Sequence, residues 1–523
     1  MRLLRRLHGR VADIPVRQAS SGGGIGRRGD SDVGHKPGSG LLRFARNDFA
    51  GLRFPAVRTA GACLAAALAL AGCTGFGTRN APINAALAGD VAPADSTSSG
   101  PLSQDAAETA IGLSFSGGGT RASAFAYGVL QELAKTQEAS RGGAHAALID
   151  RVTLVSGVSG GSVTAAYFAL RGHDVLSDFR QRFLVQDVEA TLSTSVNVTN
   201  LMLMAKGGVN DRSGLPTWLD QNLFHGATYA DVLKPGHPQL WINASDIFNR
   251  TPFIYNTVNF GALCSDLRRY PLSEAVAASA AVPLVFRPIV IENFADTCPF
   301  NAPDWVDAAA SRTGAPAILR ASAAAIQRYR EKADVKFVKL LDGGMTDNLG
   351  LSGLLLELAA ATKPYEPLTP RQAVNLKRFL FVVVDAGRPP GGDLAKNADS
   401  PEIMDLIQAV SDTAVDANVR AAYDAFGAEM EKWRDRLIDY RCGLTPPEVV
   451  ALRGSMEGWN CRALSLQVAK VSFETMREPS VKARLDKIPT RFKLPKDDVD
   501  LLISSAGSLL RQNPSYKEFL ASF

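Results

Sequence analysis

The sequence predicts an α/β fold with a mainly parallel central sheet, and three stretches carry that expectation. Ile111–Phe115 runs into Ser116–Ala122, Val152–Val155 into Gly157–Gly161, and Val335–Leu341 into Asp342–Asn348. Each is a short strand, apolar in the first two and alternating in the third, that ends in glycines. After the first two, apolar residues return at helical spacing: Ala124, Tyr127, Leu130 and Leu133, then Val163, Ala166, Tyr167 and Leu170. Strand, glycine turn and helix in succession is the pattern of crossover units, which build parallel sheets.

With 523 residues, 46% of them hydrophobic, the chain holds material for one large α/β domain or two ordinary ones. Its formal charge of +5 is misleading. Residues 1–73 carry 12 Lys/Arg against four acidic residues, whereas residues 74–523 carry 45 against 48. The basic excess lies in a processed segment, so nucleic acid is not expected as a partner. Arg43, Arg46, Arg53 and Arg58 precede the apolar run Ala60–Ala71, which ends in Leu70-Ala71-Gly72-Cys73. The run is short for a membrane span and has the size of a signal-peptide core. Its last four residues resemble a bacterial lipobox, which implies lipidation of Cys73, with an uncleaved anchor helix as the alternative. By the same resemblance, Thr74 in place of an aspartate favours the outer membrane, facing the periplasm. Some forty residues precede this signal, so translation is expected to start near Leu52 or Val57.

The expected organisation is an extension and signal over 1–73, a flexible tether over 74–107, a catalytic domain over 108–395, and a mainly helical part of that domain over 396–523. Residues 74–107 are rich in Ala, Gly, Ser, Thr, Asp and Pro without apolar periodicity. Four cysteines lie in the body. The pairings Cys264–Cys298 and Cys442–Cys461 are expected because they are the closest in sequence. No C-x-x-C pair is present, so no metal site is expected.

Gly157-Val158-Ser159-Gly160-Gly161 is a G-x-S-x-G turn between a strand and a helix. Gly157 and Gly161 allow a sharp reversal that pushes Ser159 out at its tip as a nucleophile. Gly117, Gly118 and Gly119 leave backbone N–H groups open toward an anion. The loop lacks the Gly-Lys-Ser/Thr ending of a phosphate-binding loop, and the serine turn stands where the second strand ends. An oxyanion hole fits better than a nucleotide site. Arg121 either braces this loop or meets a lipid phosphate. Asp342, followed by Gly343 and Gly344, stands at a strand end, where α/β sheets bind ligands. A hydroxyl, a carboxylate and N–H donors on one rim are the equipment of acyl transfer.

Histidine is the usual base in such sites, but none follows His237. An α/β-hydrolase order with Asp342 as the acid therefore fails. A serine–aspartate pair needs no histidine; a histidine-dependent esterase using His225 or His237 is the alternative enzyme.

Other elements follow from pattern. Gln239–Asp246 and Phe253–Val258 read as strands, Leu272–Pro288 as a helix stopped by proline, and Arg378–Val384 and 464–473 as strands. Leu201–Met204 reads as core helix, with a mobile cap over an acyl pocket as the alternative. Glu429–Arg441 reads as a solvated helix surface, and Leu501–Leu510 as a closing helix.

These residues together resemble the patatin-like phospholipase family. Its G-G-G-x-R/K loop, G-x-S-x-G elbow and D-G-G/A motif are matched by Gly117–Arg121, Gly157–Gly161 and Asp342–Gly344. The small-residue block Ala278–Phe286, ending in proline and an aromatic, is also similar. The resemblance spans roughly residues 111–348. Ser116 replaces the family's frequent aspartate, and Ala122 its frequent glycine. The resemblance implies a three-layer α/β/α fold and hydrolysis of phospholipid or related acyl esters by Ser159 and Asp342 without a cofactor. A silent lipoprotein that binds lipid or a partner is the non-enzymatic alternative.

Overall fold

Residues 80–88, 108–137, 146–193, 198–205, 207–311, 314–389 and 403–523 are described by the computed structural model. Eight strands are formed among them: β1 (Thr109–Phe115), β2 (Val152–Val158), β3 (Gln239–Asp246), β4 (Thr251–Ile254), β5 (Ile289–Glu292), β6 (Phe337–Asp342), β7 (Arg378–Asp385) and β8 (Ser465–Ser472). They make one sheet in the order β5-β6-β3-β2-β1-β7-β8, with β4 also paired to β3. The helices that matter here are α1 (Gly119–Lys135), α2 (Gly160–Arg171), α3 (Leu272–Ser279), α4 (Ser352–Ala360), α5 (Ile403–Gly443) and α6 (Lys496–Gln512).

The strands alternate their side chains between two cores, which makes three layers. Leu113 and Phe115 of β1 join Phe125 of α1, Tyr167 of α2 and Leu502 of α6 on one face. Trp241 of β3 and Phe379 and Phe381 of β7 join Leu354 of α4 and Phe426, Trp433 and Leu437 of α5 on the other. The expected α/β/α fold is what forms.

The sheet is parallel from β3 through β2, β1 and β7 to β8, but β4, β5 and β6 run antiparallel to their neighbours. Asp342 therefore does not reach the rim on a parallel strand, as the sequence reading had it. Val158 pairs with Asn243, and Ala244 pairs with Asp342. β6 descends from beyond the rim and stops level with the end of β2.

Three local expectations change. The second strand of the hairpin stops at Ile254, because the Asn256 side chain accepts from the Asn259 N–H and caps a helix over Thr257–Ala262. Glu429–Arg441 is not simply a solvated surface. Phe426, Met430, Trp433 and Leu437 are buried along one stripe of α5, and buried Arg441 donates to the Leu376 carbonyl at 2.6 Å. The charges between these positions hide the apolar period. Leu201–Met204 lies in a helix over Val198–Ala205, but Met202 is 62% exposed, so this helix is not core.

Part of the stretch expected to be a tether is laid down on the body. The Asn80 amide donates to the Arg287 and Pro288 carbonyls, and its oxygen accepts from the Arg212 N–H. The Asn84 amide donates to the Glu292 carbonyl and accepts from the Glu292 N–H. The Leu87 N–H donates to Cys264. Cys73, the lipobox and the remainder of the tether lie outside the described residues.

Both cysteine pairings form: Cys264–Cys298 and Cys442–Cys461. They close loops of 34 and 19 residues, for which chain entropy predicts a stabilisation of about 3–4 kcal/mol each. Reduction should therefore lower the urea midpoint, with a loss of about 2–4 kcal/mol per bridge measured on the separate double Cys→Ser variants.

Candidate active site

The nucleophile elbow is built by strain held from both sides. Ser159 sits at φ 49° between β2 and α2, a region that non-glycine residues seldom occupy. Its N–H donates at 2.8 Å to Ser279 Oγ, and that hydroxyl donates at 2.6 Å to the Asn243 carbonyl. The Ser279 hydroxyl at the end of α3 thus fixes the turn to β3. The hydroxyl of Ser162 closes the first turn of α2 on the Ser159 carbonyl at 2.6 Å. Glycine is required next to the nucleophile, because a Cβ on Gly160 would stand 2.0 Å from the Gly119 carbonyl oxygen. Elbow and glycine-rich loop touch backbone to backbone there.

The Asp342 carboxylate accepts the Gly344 N–H at 2.8 Å and lies near enough to the Ser159 hydroxyl for that hydroxyl to pull its pKa down. Its own N–H donates to the Ala281 carbonyl, and the Gly343 N–H donates to the Ser279 carbonyl. Ser159 and Asp342 are only 6% and 8% exposed. Burial pushes the Asp342 carboxyl up to about 6, against the opposing pull of the Gly344 N–H and the Ser159 hydroxyl. A carboxylate at that value takes up a proton far more readily than an ordinary aspartate and remains mostly ionised at neutral pH.

Of the three glycine N–H groups expected to be open, those of Gly118 and Gly119 are, and that of Gly117 is not. The Gly117 N–H donates to the Asn348 carbonyl at 3.1 Å, which removes it from the expected oxyanion set. Its Cβ position is filled by Asn348 Oδ1, 2.5 Å away, with Ser159 Cβ 3.4 Å off. Gly118 and Gly119 both have positive φ, 139° and 58°. Among the described residues nothing accepts from their N–H groups. They open α1, whose positive end faces the same space.

Ser116 anchors the loop from its start. Its hydroxyl accepts from the Ala386 N–H at 2.9 Å, and its N–H donates to the Val384 carbonyl, so the loop is sewn to the end of β7. Arg121 braces the loop. Its Nε donates to the Ala386 carbonyl and its Nη1 to the Ile488 carbonyl, while Nη2 lies 3.0 Å from where a Gly118 Cβ would be. Burial pulls its guanidinium down to about 9, helped by Arg388, which leaves it charged at neutral pH. From the far side the Arg491 carbonyl accepts from the Thr120 N–H at 2.8 Å.

The histidines lie elsewhere. His237 precedes β3, at the amino end of the sheet, with Nδ1 2.7 Å from the Ala169 carbonyl, and His173 faces Asp150 at 3.5 Å. His225 is an exposed residue in the turn before Thr228. None of the three approaches Ser159; His8, His35 and His145 lie outside the described residues.

Sequence reasoning missed Ser279, Asn348 and Gly160 as parts of this site. The first two sat inside recognised blocks, Ala278–Phe286 and Asp342–Asn348, but nothing in the spacing assigns a hydrogen bond across 120 residues.

A patatin-like phospholipase family model matches residues 113–355, the stretch that carries all three motifs. No curated protein matches the chain. Among solved structures, human GIVD cytosolic phospholipase A2 is similar at 12% identity and a TM-score of 0.34, over 79% of this chain and 62% of that one. Residues 113–355 are thus recognised as a patatin-like phospholipase domain.

Proposed function

We propose that this protein is a phospholipase A-type esterase that cleaves the carboxylic ester of membrane phospholipid or a related acyl lipid through a Ser159–Asp342 dyad. The observation that carries the proposal is the register of β6, which stops at Asp342 level with the end of β2 and so supports a carboxylate beside the Ser159 elbow. Ser159 Oγ attacks the ester carbonyl carbon as its proton passes to Asp342. The N–H groups of Gly118 and Gly119 receive the negative charge on the carbonyl oxygen. Collapse breaks the bond to the leaving alcohol, which takes the proton from Asp342 and departs as lysolipid. Asp342 then takes a proton from water as it attacks the acyl-serine, and the fatty acid leaves as Ser159 regains its proton.

Lipidation of Cys73 would hold this chemistry at a bacterial membrane, in our reading the outer membrane facing the periplasm. The two disulfides support an oxidising compartment of that kind. A fluorescent fluorophosphonate tests the dyad. The adduct is expected on the Ser159 peptide, absent in Ser159→Ala and weakened in Asp342→Asn. A folded protein that takes no label would turn the reading toward a silent lipid-binding lipoprotein.

A further inference from the structure

Beyond the rim, β3 continues past the level of Val158 to Asp246, and the chain then turns through Ile247-Phe248-Asn249-Arg250 into β4. That overhang carries apolar side chains into solvent. Phe248 is 58% exposed and Ile247 40%, and Phe337, at the start of the adjacent β6, is 47% exposed. The Ile247 N–H donates to the Lys339 carbonyl, which continues the β3–β6 register and sets exposed Ile247 opposite Lys339, on the face that Phe337 shares two residues earlier on β6.

The turn is held rigid at the expense of a buried carboxylate. Asp246 is 1% exposed and accepts from the Phe248 N–H at 2.9 Å, the Asn249 N–H at 3.2 Å, the Asn249 amide at 2.7 Å and the Tyr329 hydroxyl at 2.7 Å. Arg328 fixes Asn249 Oδ1 at 3.0 Å, and Arg250 sits at φ 57°, a strained value that only an over-determined turn retains. The turn so held leaves Phe248 in solvent.

Exposed Arg250 follows Phe248 by two residues, exposed Lys336 and Lys339 flank Phe337 in the chain, and exposed Arg328 reaches the turn through Asn249, against exposed Glu331 and Asp334 and Glu292 in register opposite Phe337. Aromatic rings flanked by long cationic side chains match a bilayer interface, where the rings enter the acyl boundary and the cations reach headgroup phosphates. The overhang also extends about 10 Å past the level of the catalytic serine, since β strands rise about 3.3 Å per residue.

We infer that the β3–β4 turn and the start of β6 form a membrane-docking knob for a phospholipid bilayer, with Phe248 and Phe337 as its inserting side chains. The inference deepens the proposed lipid hydrolysis and rests on it for the choice of a lipid over a protein partner.

Vesicle flotation of the full chain with Cys73→Ser, so that no acyl group contributes, tests it directly. Phosphatidylcholine vesicles with and without phosphatidylglycerol serve as probes. Binding is expected, stronger with phosphatidylglycerol, and about 10-fold weaker for each of Phe248→Ser and Phe337→Ser. Lys336→Glu with Lys339→Glu should abolish the phosphatidylglycerol preference, while hydrolysis of a soluble short-chain ester stays unchanged in all of them. Phe248→Trp guards against misfolding: it should bind like the parent, and its fluorescence should shift to the blue on vesicles. Undiminished flotation of the Phe→Ser variants, an unshifted Phe248→Trp spectrum, or a Phe248-dependent dimer in place of vesicle binding each overturns the inference. A protein that floats but cleaves nothing leaves the knob standing and removes the proposed hydrolysis.

Discussion

Asp342→Asn is expected to lower ester hydrolysis by more than about 100-fold, the scale of losing a positioned general base, and at the same time to stabilise the fold at pH 7. Both effects come from one feature, a carboxylate 8% exposed whose burial lifts it to about 6. The folded state holds the Asp342 proton more tightly than the unfolded chain does, with its ordinary value of 3.8. The stability contribution of this group is therefore full below about pH 4 and is lost as the pH rises through 6. Asparagine carries no charge to desolvate and still accepts the Gly344 N–H. Urea unfolding should show a gain on the order of 2 kcal/mol at pH 7 that shrinks toward pH 4. In the wild type, the rate should fall about tenfold per unit below pH 6 and level off above it, as expected for a base that must be ionised. Unchanged activity in Asp342→Asn would assign the base elsewhere.

Gly160→Ala is the second large effect, and it should break the site without touching a reacting group. The new methyl would lie 2.0 Å from the Gly119 oxygen and 2.5 Å from its carbonyl carbon, both backbone atoms. No rotamer change relieves that contact. Either α2 or the oxyanion loop must move, and a shift of about 1 Å in a positioned donor costs about 100-fold in rate. Overpacking of this kind also destabilises by about 1–3 kcal/mol. The expected readout is a loss of kcat with slowed fluorophosphonate labelling, because Ser159 remains but its oxyanion donors are displaced. Wild-type labelling kinetics would mean that the two loops are not mechanically joined.

The sequence made the chemistry legible at its three turns because each rests on local backbone demands. Two glycines flanking a serine, three in a row before a helix, and an aspartate before two more are short-range statements about where a chain can bend. The parallel strands β1, β2 and β7 were legible for the same reason, as buried and largely apolar runs, whereas β8 shows as an alternating strand at the edge. The direction of β6 was not, since its alternating residues fit either orientation and only pairing with β3 decides. Gly117 was misassigned because an open N–H and one already given to Asn348 look alike until the fold brings residue 348 back. In α5, charged residues occupy most positions from 429 to 441, so the sparse stripe of Met430, Trp433 and Leu437 was outvoted. The Asn80 and Asn84 contacts lie in a composition that usually means disorder, and two amide side chains reverse that locally.

Those two asparagines act where the sheet comes to an end. β5 is its terminal strand, and the outward N–H and carbonyl of Glu292 are both taken by the Asn84 amide. A side-chain amide satisfies the strand at Glu292 without offering a further backbone row, so the ladder is blocked at that residue against a strand from a second molecule. The short stretch from 80 to 88 thus guards the molecule against edge-to-edge association. A version of the protein trimmed to begin at β1 keeps every catalytic residue yet leaves that edge open, and self-association rather than lost chemistry is the defect to look for in it.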